Sequence, residues 1–253
     1  MRLRKIGTLL AVLAGLVVST QTATAAPTII GGTTATENYP FAASLQVPGQ
    51  FDHYCGASLI SAQWLVTAGH CAQQDASAYA VRIGSNDRTS GGTYARITEV
   101  VVHPDFDNSR LNNDIALLHL DRAASQAPVQ IGSTPQPGST VRMLGWGAEN
   151  PNGQGSPRRL KQVELGVLDS ERCSWWGDMT GKLCFDGKRN ASACHGDSGG
   201  PAIVKSGSGW ALVGATSGGQ DPCGTSENIY TDVSAYSSWI GQVTGGAVRV
   251  DRH

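Results

Sequence analysis

Three short stretches of the chain hold residue types that can do nucleophilic chemistry. Residues 196–200 read Gly-Asp-Ser-Gly-Gly, residues 69–71 Gly-His-Cys and residues 112–114 Asn-Asn-Asp. A serine hydroxyl is a weak nucleophile until a neighbouring base takes its proton. Imidazole suits that task because its unperturbed pKa lies near neutrality. A carboxylate can then hold the ring in the required tautomer and stabilise its charged form. Ser198, His70 and Asp114 are therefore the candidate catalytic trio, in the chain order His, Asp, Ser. Each has a plainer reading alone, since Asp, Ser and Gly are turn formers and a single histidine is ordinarily structural. Found together, they favour chemistry. The remaining histidines, His53, His103, His119, His195 and His253, sit in no such motif and are read as structural or surface residues.

A Gly-x-Ser-x-Gly pattern also marks esterases of the α/β-hydrolase class, and the five residues centred on Ser198 fit it. That class runs Ser, Asp, His along the chain and alternates strands with helices; neither feature is present here. The elements available to position the trio are short apolar runs broken by Gly, Pro, Asn and Ser. Runs over 41–47, 64–69, 79–84, 97–103, 115–120, 139–147, 160–168, 200–204 and 209–217 predict the strands of an all-β sandwich or barrel. A content of 32 glycines with only 15% charged residues agrees with a turn-rich β protein. Two helical pieces are predicted: a short turn over 168–173 capped by Asp169, and a terminal helix over 233–243 capped by Ser234. The tail, 244–253, is expected to fray.

The first residues read as an export signal. Arg2, Arg4 and Lys5 precede an apolar stretch from Ile6 to Val18, and Ala23-Thr24-Ala25 forms a small-x-small cleavage pattern. The apolar stretch is too short to span a bilayer, which takes about 20 residues. The chain carries a formal charge of −1; residues 1–28 hold three basic and no acidic residues, so the remainder carries −4. No basic run stands out in the body of the chain, which argues against a nucleic-acid partner. Six cysteines in an exported chain point to disulfides. None has zinc-ligand spacing, so neither metal nor cofactor is expected, and 15 pairings stay open.

Motifs along nearly the whole mature chain resemble the trypsin/chymotrypsin family of serine endopeptidases, of the secreted bacterial type. They are "IIGG" at 29–32, "TAGHC" at 67–71, "NNDIALL" at 112–118, "GWG" at 145–147, "GDSGGP" at 196–201 and "YTDVSAYSSWI" at 230–240. The resemblance implies two packed six-stranded antiparallel β-barrels with a C-terminal helix and an active site in the cleft between them. It implies peptide-bond hydrolysis through an acyl-enzyme on Ser198, with the backbone N–H groups of Gly196 and Ser198 as the oxyanion hole. It implies residues 1–25 as signal, 26–28 as a very short pro-segment and 29–253 as the protease domain. Ile29 would become the new N-terminus and its amine would pair with Asp197. Cleavage after Thr28 is beyond an enzyme that cuts only after Arg or Lys, so simple tryptic self-activation is excluded. The implied disulfides are Cys55–Cys71, Cys173–Cys184 and Cys194–Cys223. The implied partners are protein or peptide substrates and proteinaceous inhibitors, with no nucleic acid, no membrane and a monomeric, extracellular enzyme. A catalytically inactive binding homologue is the alternative, but such proteins usually lack a triad residue, and all three are present.

The specificity pocket departs from the best-known members. By resemblance Ser192, six residues before Ser198, lies at its floor, where a tryptic enzyme has Asp. Ser217 matches the serine that supports the catalytic Asp, and Gly219 the glycine that leaves the pocket mouth open. Gly218 stands where the family usually has Trp, which is expected to weaken the adjoining subsite. Counting back from Tyr230 puts Asn228 at the third pocket position, whereas a one-residue shift would put Glu227 there. The expected cleavage is after uncharged, apolar or aromatic residues; the alternative is cleavage after basic residues through Glu227. The sequon Asn190-Ala191-Ser192 overlaps the pocket and is read as incidental.

Overall fold

The computed structural model describes residues 29–187 and 191–248. The expected signal and pro-segment, the first residue of the sequon and the last five residues of the tail lie outside the described residues. The described residues form fourteen strands: β1 Thr33–Thr34, β2 Ala42–Gln46, β3 His53–Leu59, β4 Trp64–Thr67, β5 Ala80–Ile83, β6 Thr93–Val102, β7 Ala116–Leu120, β8 Gln130–Ile131, β9 Thr140–Gly145, β10 Lys161–Leu168, β11 Lys182–Phe185, β12 Pro201–Ser206, β13 Gly209–Gly218 and β14 Asn228–Asp232. A single α-helix among the described residues, α1 Ser237–Val243, follows.

Strands β2-β3-β4-β7-β6-β5 close into one antiparallel barrel. A second ring runs β9-β10-β11-β14-β13-β12 and returns to β9, with β1 added on β10 and β8 on β13. Closure removes the free strand edges that open sheets leave, and six-stranded barrels are narrow enough to be filled by side chains. Leu45, Leu59, Leu65, Ile83, Leu117 and Leu118, on the strands of the first, are all fully buried. Val141, Met143, Phe185, Val213 and Tyr230 fill the second, and Ile29 is buried in the same cluster. The nine predicted strands are all present within a few residues of their expected bounds.

Three barrel strands, β3, β11 and β14, escape the apolar pattern because their buried positions hold small, half-cystine or polar residues such as Gly56, Cys184 and Thr231. Between the barrels, a Cβ on Gly56 of β3 would come within 2.6 Å of the Gly200 Cα. Backbone meets backbone there, which only glycine permits, and the serine loop is thereby pressed onto the first barrel.

Two caps differ from expectation. Asp169 precedes a 3-10 segment, Ser170–Trp176, but its exposed side chain makes no capping bond and stays solvated. At the terminal helix the cap is Asp232, two residues earlier than Ser234. Its carboxylate accepts from Ser234 N at 3.0 Å and Ser234 Oγ at 2.6 Å, opening a 3-10 turn, Val233–Tyr236, that leads into α1. A carboxylate two residues upstream is the stronger acceptor and wins the donors.

Candidate active site

His70 lies in a 3-10 turn, Gly69–Cys71, just after β4, while Asp114 lies just before β7, the strand paired with β4. Pairing of those two strands brings the residues together. His70 Nδ1 is 2.8 Å from Asp114 Oδ2, and the His70 backbone N–H donates to Asp114 Oδ1 at 2.9 Å. Asp114 is fully buried and receives a third hydrogen bond from Ser217 Oγ at 2.6 Å. Thr231 Oγ1 donates to its backbone carbonyl at 2.7 Å. A buried carboxylate is costly unless satisfied, and donors from both barrels satisfy this one. With one nitrogen of the ring committed to Asp114, the other is left to face a reactant.

Ser198 comes from the second barrel, in the loop before β12, and is half-buried. Its carbonyl accepts from Gly56 N at 2.7 Å, and the Gly56 carbonyl accepts from Thr67 Oγ1 at 2.8 Å. Those bonds run from the serine loop to β4, the strand that leads into the His70 turn. Among the described residues Ser198 Oγ makes no hydrogen bond to His70; such bonds are often loose until substrate arrives. The Asp197 N–H is satisfied by the Cys194 carbonyl at 2.9 Å. The N–H groups on either side of it, of Gly196 and Ser198, have no partner among the described residues. Gly196 has φ of 95°, and its carbonyl is held by His53 Nε2 at 2.8 Å.

His53 is thus a supporting residue that its motif did not mark. Ser44 Oγ lies 2.9 Å from its Nδ1, and burial holds its pKa down to about 4, so the ring is neutral at pH 7. Neutral imidazole has one donor and one acceptor, which matches these two contacts. Asp197 is also buried. Desolvation raises its carboxyl to about 7, against the lowering effect of hydrogen bonds from Cys194 N at 2.9 Å and Gly147 N at 2.8 Å. The "GWG" glycines, Gly145 and Gly147, leave the space that this carboxylate occupies.

Beside Ser198 is a pocket of about 230 Å³. Ser192, Ser217, Gly219 and Asn228 all line it. Ser192 and Asn228 are buried and bonded to each other, Ser192 Oγ to Asn228 Oδ1 at 3.1 Å. Glu227 does not line the pocket: it is buried on another side, where Arg172 lies 3.7 Å from it. The register of β14 on β11, Asn228 opposite Phe185, decides between the two neighbours. Cys55–Cys71, Cys173–Cys184 and Cys194–Cys223 are the three disulfides present. Ile29 is 1% exposed, and Ile30 bridges to Ser192 through a 2.9 Å hydrogen bond to its carbonyl. The segment Ile29–Ile30 therefore enters the second barrel beside Ser192.

Two closed antiparallel barrels meeting at a His–Asp pair, with a serine and a pocket beside it, define a class, the two-barrel hydrolases. Residues 29–240 match the family model described as Trypsin. This chain belongs to the trypsin family, and it is a serine endopeptidase, an enzyme that hydrolyses peptide bonds in protein substrates.

Proposed function

We propose that this protein is a secreted, monomeric endopeptidase that cleaves after uncharged, apolar or aromatic residues through an acyl-enzyme on Ser198. His70 is the base, Asp114 orients it, and the N–H groups of Gly196 and Ser198 take the oxyanion. The observation that carries this reading is one chain of hydrogen bonds, from His70 to Asp114 to Ser217. It ends on the wall of the pocket that Ser198 lines. Among the described residues the pocket floor is Ser192 and Asn228, a hydroxyl and an amide. The lining carboxylate of Asp221 is exposed and already 2.8 Å from His195, so a cationic side chain buried at the floor would go unpaired. Glu227, already beside Arg172 and away from the pocket, does not favour the tryptic alternative.

Residues 1–25 act as the export signal and Ala26-Pro27-Thr28 as the pro-segment. Cleavage frees the Ile29 amine to pair with buried Asp197, which orders the oxyanion loop. The burial of Ile29 within the second barrel supports this. The first residue of the secreted enzyme, read by N-terminal sequencing, is expected to be Ile29; a start at Ala26 would contradict this.

The decisive experiment joins a label to a substrate panel. A fluorophosphonate should modify Ser198, identified by peptide mass mapping. Peptide anilides differing only at P1 should be cleaved about tenfold or more faster with Leu or Phe than with Arg or Lys, since an unpaired buried charge is costly. Faster cleavage after Arg or Lys overturns the specificity. Absence of the label overturns the mechanism.

A further inference from the structure

Gly218 lies on β13 at the pocket wall, where the expectation was a missing apolar surface. That surface is not bare. A Cβ placed on Gly218 would lie 2.6 Å from Cη2 and 3.0 Å from Cζ2 of Trp176, so even alanine would collide with the indole. Trp176 ends the 3-10 segment inside the loop closed by Cys173–Cys184. It packs on the cluster of Cys173, Cys184 and Ile229 and lines the same pocket as Leu111 and Ser217. Its indole nitrogen has no hydrogen-bond partner among the described residues. Packing alone holds the ring, and an aromatic surface is what it presents to the pocket.

We infer that Trp176 is a specificity-determining residue: its indole takes the volume left by Gly218 and, with Leu111, forms an apolar wall for substrate side chains upstream of P1. Glycine at 218 and tryptophan at 176 are then two halves of one arrangement, because the space between them admits a single large side chain. The wall is tied to the site through Ser217, which follows Thr216 on β13 and donates to Asp114. A peptide with its P1 side chain over Ser192 and its carbonyl at Ser198 leaves the pocket past this segment. Its preceding side chains meet Trp176 and Leu111. The inference rests on the protease reading above.

The test uses the mature enzyme and peptide anilides with one fixed P1 residue and Leu or Ser at each upstream position in turn. The readout is the Leu-to-Ser ratio of kcat/KM at each position. Wild type is expected to prefer Leu at one or more upstream positions. Trp176→Ala and Trp176→Gln should lower that ratio about tenfold, the low end for one apolar contact in a substrate pocket. Trp176→Phe should keep most of it, and Trp176→Ala with Gly218→Trp should restore it. Each variant is expected to take the fluorophosphonate label, which needs no upstream residue and so reports that the site is folded. Should Trp176→Ala fail to fold, Trp176→Gln reads the same ratio. A ratio in the folded variants equal to that of wild type overturns the assignment and leaves the protease reading standing. A wild-type enzyme that neither labels nor hydrolyses overturns that reading instead.

Discussion

Replacing Ser198 with alanine is expected to lower kcat about 10⁶-fold, and replacing His70 with alanine to do the same. The double variant should be no slower than either single one. A hydroxyl without its base is not a useful nucleophile at neutral pH, and the base without the hydroxyl has no proton to take. The two side chains therefore act as one unit, and their losses do not add. Asp114→Asn should cost less, about 10⁴-fold, because the ring keeps a partner but in the wrong tautomer. Its amide cannot accept from Ser217 Oγ, His70 Nδ1 and the His70 backbone N–H together, as the carboxylate does. Folding should be unaffected in Ser198→Ala, with a thermal midpoint shifted by no more than about 2 °C, because the half-buried hydroxyl holds no hydrogen bond among the described residues. Residual catalysis of about 10³-fold over water should survive from oxyanion binding. Steady-state kinetics on material purified from active contaminants would decide the matter. A Ser198→Ala enzyme keeping 1% of the rate would overturn the assignment of the nucleophile.

The proposed triad could be read from sequence because each member sits in a short motif whose neighbours are themselves constrained. Gly199 follows Ser198 because Gly56, Thr67 and Ala68 of the first barrel leave no room for a Cβ there, and Cys71 follows His70 because it ties that turn to β3. Strands with apolar runs were legible for the usual reason, that buried strand positions recur and favour branched and aromatic side chains. Strands β3 and β14 were not, since they spend buried positions on Gly56, Asn228 and Thr231, which serve the site rather than the core. His53 could not be found from its neighbours in sequence: its partner is the backbone carbonyl of Gly196, and any residue there would offer the same carbonyl. Trp176 was hidden likewise, although the glycine opposite it was visible as an anomaly. Asn228 and Glu227 differ by one position, which reverses the face of a strand; only the pairing of β14 with β11 separates them.

The second large effect is expected at Asp197, and it has a pH signature. In the precursor Ile29 is still bonded to Thr28, so Asp197 has no ammonium to pair with. Its carboxyl, raised by burial from 3.8 to about 7, stabilises the fold fully below pH 4. That contribution is lost as pH rises through 7, a change of about 4 kcal/mol. His53, next to this loop, works the other way. Its imidazole is lowered from 6.5 to about 4, so its contribution is full above pH 6.5 and is lost as pH falls through 4, by about 3 kcal/mol. Between pH 4 and 6.5 the two slopes oppose each other, and precursor stability should be nearly level. Asp197→Asn removes one arm, so the precursor variant should gain about 3 kcal/mol from pH 4 to 6.5. Mature enzyme should rise in the same way, because the Ile29 ammonium would hold Asp197 ionised and return its pKa toward the ordinary range. In mature enzyme Asp197→Asn should also lower kcat about 10²–10³-fold, the scale of one oxyanion donor, as the loop carrying Gly196 and Ser198 loses its anchor. The stability measurement is urea unfolding at pH 4 to 7 on Ser198→Ala precursor, which cannot process itself, with and without Asp197→Asn. Parallel profiles for the two precursors would remove Asp197 from the activation switch. Divergent profiles, converging on that of mature protein, would tie release of Ile29 to charging of Asp197 and so to the assembly of the oxyanion site.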